Sequence, residues 1–255
     1  MAENKHYLSS GELRKIAKEN RRQTKLYEKK KRQKVSPETY TTQMKDPNNI
    51  LEIEDLHTFF FTDAGTVKSV NGVTFSIPRG KIVGVVGESG CGKSVTSLSV
   101  MQLVQAPQGQ IVSGSIRFST SDIVYDASGK AVPVYETETG ADGKETVVTK
   151  QVTSKNGKTK EVPVQKVGED GLPVFKTEEK VFDIARMPIA DMRKIRGREI
   201  SMIFQEPMTS LNPVFTVGYQ LDDVILINNH GATREDARRR SIQMLNEVGI
   251  AMPEA

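Results

Sequence analysis

One cysteine, three histidines and no apolar run approaching the ~18 residues of a membrane-spanning helix mark what this 255-residue chain goes without. The single cysteine, Cys91, excludes an internal disulfide framework and fits a reducing compartment. His6, His57 and His230 are scattered, so no His/Cys cluster has the spacing of a metal site. The opening "MAENKHYLSSGELRK" turns charged at once and lacks the apolar centre of a signal peptide. These absences predict a cytoplasmic protein. The length leaves room for one or two domains and a sizeable core.

Acidic charge is scarce only at the start. Residues 1–46 carry 13 Lys and Arg against 6 Asp and Glu, whereas the rest carries 23 against 26. The net charge of +4 therefore belongs to an arm, and nucleic acid is not expected as a partner of the whole chain. Within that arm, residues 9–34 look helical with a short apolar stripe (Leu13, Ile16, Ala17), and Ser9 or Ser10 is placed to cap. Three roles stay open for it: a solvated, partly disordered arm, a segment resting on an anionic membrane surface, or an RNA-binding arm. Pro37, Pro47 and Asn48-Asn49 mark a linker.

From Ile50, "ILEIEDLHTFFF" alternates as a half-buried strand, and "VKSVNGVTFSI" follows as a second, interrupted by Asn71-Gly72. "PRG" turns the chain into "KIVGVVG", an apolar run suited to a buried parallel strand. A helix is predicted over 93–105, and "IVSGSIRF" is one more strand, with Gly114 at a bend or bulge. Residues 119–182 differ in texture: "VPV", "VPV" and "LPV" recur between turn signals, with 9 basic and 11 acidic residues. They predict antiparallel hairpins, Asn156-Gly157 being the best two-residue turn and the prolines arguing for edge or exposed positions. Beyond them come a short helix, a strand-like "ISMIF" and a helix over 233–248 with Thr233 and Asp236 as an acidic capping box.

Chemistry concentrates in Gly87-Glu88-Ser89-Gly90-Cys91-Gly92-Lys93-Ser94, which fits G-x-x-x-x-G-K-[ST] at every fixed position. Glycines let successive amides turn inward around phosphates, and the helix after them aims its positive end at the same anion. Lys93 suits the β/γ-phosphates, Ser94 suits Mg²⁺, and Val95 is counted with them among the nucleotide-binding residues. Cys91 is either a small residue at a variable position or a thiol made reactive by the helix N-terminus.

The run "QEPMTSLNP" after "ISMIF" resembles the Q-loop region of ATP-binding-cassette (ABC) ATPases, and specifically the ATP-binding subunits of oligopeptide, dipeptide and nickel importers. Residues 50–118 and 183–255 share the resemblance; the arm and the 119–182 segment do not. It implies an α/β P-loop NTPase of ABC ATPase type, with a parallel core sheet and an antiparallel β-subdomain, into which the turn signals of 119–182 place an inserted β-hairpin ribbon. The corresponding divisions are 1–49 (arm and linker), 50–118 (first part of the core), 119–182 (insertion) and 183–255 (Q-loop and start of a helical subdomain). ATP and Mg²⁺ are the implied ligands. Gln205 takes a role in sensing Mg²⁺ and the attacking water, Glu206 to Pro213 face the membrane subunits, and Phe60 stacks on adenine, with Phe59 and Phe61 as open alternatives.

The resemblance further implies transmembrane permease subunits and a second ATP-binding subunit as partners, at the cytoplasmic face of the membrane. No L-S-G-G-Q-like signature, Walker B Asp-Glu or later switch histidine occurs in the sequence. The expectation is therefore an N-terminal part, incomplete at the C-terminus, that binds ATP but hydrolyses it poorly alone, with a downstream polypeptide as a candidate to complete it. A catalytically inactive nucleotide-binding fragment or interaction module is the alternative.

Overall fold

The computed structural model describes residues 9–139, 144–153, 159–169, 171–205, 210–229 and 231–254. In chain order they form α1 (Ser10–Arg32), β1 (Asn49–Thr62), β2 (Gly65–Pro78), α2 (Lys93–Val100), β3 (Gly109–Ile123), β4 (Thr137–Thr139) and β5 (Glu145–Val147). They continue as β6 (Thr149–Thr153), β7 (Thr159–Pro163), β8 (Thr177–Asp183), α3 (Ile189–Ile195), α4 (Val217–Asn228) and α5 (Arg234–Glu247). Two units result: residues up to 121 with 179–202, and 122–178 with the residues from 203 on.

Alternation in β1 does what it predicts. Leu51, Ile53 and Leu56 are buried, and β1 turns through Asp63 and Ala64 into antiparallel β2. β3 pairs antiparallel with the other edge of β1, and the sheet order is β2-β1-β3-β8. Val100, Ile116, Phe118, Ile184, Met187, Met192 and Ile195 close one core with the β1 residues. Gly114 sits where the β1–β3 register slips between Glu54 and His57, as its sequence position suggests. Its φ is +98°, and an added Cβ would stand 2.4 Å from the Asp55 carbonyl oxygen. Asn71-Gly72 leaves β2 unbroken and costs only a register shift opposite Leu56 and His57.

Two expected strands are not formed. Lys81–Gly87 carries no strand, and Ile82 and Val86 are almost wholly exposed at 101% and 96%. Among the described residues, the backbone of Ile82–Val86 has neither donor nor acceptor partner. A buried parallel strand needs a hydrogen-bonded neighbour and a covered face, and the described sheet supplies neither to this run. "ISMIF" behaves alike: Ile200 makes one bridge to Arg196, and residues 201–204 lie in no strand. The helix expected to reach Gln105 stops at Val100, because Gln102 turns left-handed with φ +49°. Arg196 then takes the freed carbonyls of Met101 at 2.7 Å and Gln102 at 2.9 Å.

The basic arm is a docked helix rather than a solvated one. Ser9 and Glu12 form a reciprocal capping box at its start. Its inner face reaches the β1–β2 turn with polar groups: Asn20 is buried, and its Nδ2 donates to the carbonyls of Thr62 at 2.7 Å and Gly65 at 3.1 Å. Tyr27 stacks on Phe61 with centroids 5.9 Å apart. Asn20→Ala would take a donor from each of those carbonyls, Gly65 O keeping the Thr62 hydroxyl at 2.8 Å, so α1 is expected to lose about 1–3 kcal/mol of docking free energy. Amide exchange across residues 10–32 measures it, and unchanged protection would refute the tether.

In the second unit, β4–β5 and β6–β7 are antiparallel hairpins. The prolines fit for a more local reason than edge position. Val134 donates its amide to Val174 O, and Val164 to Val148 O, so Pro133, Pro163 and Pro173 occupy alternate residues where no amide is required. Asn156-Gly157 lies outside the described residues, as do His6, His230 and residues 206–209. Thr216 caps α4, and Thr233 with Asp236 forms the expected capping box on α5. Leu172, Ile225 and Ala237 make a small core between the ribbon and these helices.

Candidate phosphate-binding site

The first unit carries the glycine-rich loop between the unpaired run and α2. Gly90 and Gly92 adopt φ of +82° and +95°, the left-handed geometry that turns successive amides to one side. Among the described residues, no protein acceptor meets the amides of Gly87, Glu88, Ser89, Gly90 or Gly92. The Cys91 amide alone makes an internal bond, to Glu88 O at 3.4 Å. Gly92 also serves as the N-cap of α2 and, having no side chain, leaves the first-turn amides of Lys93, Ser94 and Val95 uncapped. A concave set of unspent donors at the positive end of a helix is suited to phosphate.

Three contacts hold α2 in place. An added Cβ at Gly92 would fall 2.3 Å from Ser69 O, so the helix start lies directly on β2. Thr58 and Ser99, both buried, share a 2.8 Å hydroxyl contact that locks α2 onto β1. Arg196 closes the far end, where burial pulls its guanidinium below its ordinary pKa. Sequence reasoning passed over Ser69, Thr58, Ser99 and Arg196; for the first three the only available signal was hydroxyl residues standing at apolar-periodic positions, and Arg196 gave none.

Lys93 folds back over the loop, its Nζ donating to Gly87 O and Glu88 O, each at 2.6 Å, with Cys91 Sγ at 3.5 Å. These are two neutral acceptors for one ammonium, contacts that a polyphosphate would outcompete by charge. A Cβ on Gly87 would meet Cys91 Sγ at 2.8 Å, so side chains there would fill the cradle. The residues thus fit a nucleotide phosphate chain, with exposed Ser94 free to serve a divalent cation. Val95 turns its side chain to the core and offers only its amide.

The three phenylalanines have different neighbours. Phe61 is taken by Tyr27, and Phe59 meets His57 edge-on and lies under Lys68 Nζ at 5.6 Å. Phe60 pairs with Gly109 across the sheet and is half-buried against it. Gln205 belongs to the second unit and is exposed there; of the segment Glu206 to Pro213, only residues from 210 on are described.

Free amides in a glycine loop, a lysine and an uncapped helix start are the geometry of a P-loop, the loop type suited to nucleotide phosphates. Residues 70–181, which include the whole loop, match the family described as ABC transporter. The chain is 34% identical over 207 residues to the oligopeptide transport ATP-binding protein AppD of Bacillus subtilis, covering 81% of this chain and 44% of that protein. It is 31% identical over 204 residues to the dipeptide transport ATP-binding protein DppD of the same organism (80% and 42%). It is 30% identical over 210 residues to the glutathione import ATP-binding protein GsiA of Shigella boydii (82% and 24%). Residues 70–181 thus carry an ABC transporter domain, and the fold class is that of the ABC ATPase domain. It spans less than half the length of these curated relatives. Among the described residues no helix is long and apolar enough to cross a membrane.

Proposed function

We propose that this chain is the nucleotide-binding part of an ABC importer subunit for peptides or similar solutes, coupling ATP binding and hydrolysis to transport. The cradle of unbonded amides closed by Lys93 is the observation that carries it. Gly87, Glu88, Ser89, Gly90, Cys91 and Gly92 would surround the phosphates, Lys93 would neutralise them, and Phe60 would stack on the base. Ser94 would hold Mg²⁺, which when bound supplies positive charge against the phosphate oxygens. The partners are transmembrane permease subunits and a second ATP-binding subunit, at the cytoplasmic membrane face. Additional strands, from this protein or a separate downstream polypeptide, would pair along Lys81–Gly87.

The unpaired run favours a second reading, a nucleotide-binding module without turnover, since a loop whose feeding strand is unsupported does not hold an attacking water in place. Cys91 tests the shared premise, being exposed at the cradle floor. Maleimide labelling of Cys91 is expected to slow at least about tenfold under saturating Mg-ATP, as binding buries the thiol. Equal labelling with and without ATP would reject both readings. Protection accompanied by steady-state phosphate release selects the first, and protection without release the second.

A further inference from the structure

The sheet, the phosphate loop and the ribbon leave α1 without a role, yet it holds the densest charge in the molecule. Residues 10–32 include ten Lys and Arg against Glu12, Glu19 and Glu28. Docking sorts them. Leu13, Ile16, Asn20, Thr24 and Tyr27 turn inward, while Arg14, Lys18, Arg22, Lys25, Lys29 and Arg32 recur at three- and four-residue steps on the exposed, opposite side. Arg14, Lys18, Lys25 and Lys29 have no ion-pair partner among the described residues. At 1.5 Å per residue this stripe is a straight cationic edge about 27 Å long.

We propose that α1 docks the protein on an anionic phospholipid surface, independently of any permease. Charge complementarity fixes the occupant: a straight stripe held rigid by Asn20 and Tyr27 matches a flat negative plane, which attracts each Lys or Arg near it by about 1 kcal/mol. Single-stranded RNA fits less well, because it is gripped by exposed aromatic side chains. The one aromatic residue of α1, Tyr27, is stacked on Phe61 and half-buried. The exposed Leu26, at 54%, is the apolar group best placed to enter the headgroup layer beside the stripe.

The test uses the whole chain without nucleotide, so it stands or falls apart from the function above. Sedimentation is expected with phosphatidylcholine vesicles containing about 30% phosphatidylglycerol, but not with phosphatidylcholine alone, and about 0.5 M salt should release the protein. The combined variant Lys18→Gln, Lys25→Gln, Lys29→Gln should bind roughly a hundredfold more weakly. Lys18→Arg, Lys25→Arg, Lys29→Arg should bind as the parent does, which separates loss of charge from loss of fold. Lys150→Glu with Lys160→Glu in the ribbon should change nothing. Equal binding to neutral vesicles, full binding by the glutamine variant, or tighter binding to polyuridylate than to the anionic vesicles would each overturn the proposal.

Discussion

Lys93→Ala is expected to weaken ATP binding by roughly 10- to 100-fold, since a hydrogen bond to a charged group contributes ~1.5–3 kcal/mol. The side chain's two bonds to Gly87 O and Glu88 O are made at a half-exposed site, so the folded state should lose little with it. The two observables therefore separate: affinity by titration falls, and the melting temperature stays within about 2 °C. The remaining amides, from Glu88 to Val95, still offer donors, so weak binding should persist and should depend less on salt. Unchanged affinity would remove phosphate binding from the loop altogether.

Gly92→Ala is expected to disturb the phosphate loop and the start of α2 together. An alanine at φ +95° costs ~1–2 kcal/mol in backbone strain. The new Cβ would also stand 2.3 Å from Ser69 O and 3.3 Å from the Ser69 carbonyl carbon, backbone atoms of β2 whose neighbours Lys68 and Val70 pair with β1. Relief requires α2 to lift from the strand, adding roughly 1–3 kcal/mol of overpacking. Together these lower the melting temperature by on the order of 5–15 °C, with ATP affinity falling too because the amides of 92–95 move with the helix start. Gly90→Ala is the internal comparison: its φ is +82°, but nothing lies within 4 Å of an added Cβ. Only the strain component should appear there. Equal losses at both positions would disprove the close approach to Ser69.

What was legible in the sequence was local. Thr233 with Asp236 announces its helix because a capping box is complete within four residues, whereas Ser9 and Ser10 were equal candidates until Glu12 closed the box on Ser9. The glycines of the phosphate loop are legible for the same reason: their dihedrals and free amides follow from residues a few positions apart. Lys81–Gly87 was misjudged because an apolar β-branched run records only that a strand is affordable there; whether one forms depends on a partner distant in the chain. The docking of α1 was missed for the opposite reason. Its inner face is held by Asn20, Glu28 and Tyr27, and an apolar-periodicity search does not register a stripe whose contacts are hydrogen bonds and one ring stack. Phe59, Phe60 and Phe61 were indistinguishable as three identical letters, and only their different neighbours separate them.

The unpaired backbone of Ile82–Val86 runs straight into Gly87, and this adjacency makes two equilibria one. If nucleotide favours the loop shape that a paired strand would hold, any segment that pairs with the run favours the same shape. Each therefore tightens the other by an identical factor, because a coupling free energy has no direction. If the paired arrangement is populated about one part in a hundred, the apparent nucleotide dissociation constant is about a hundredfold above its intrinsic value. Pairing along five residues then acts as a dial on affinity for a ligand that those residues never touch.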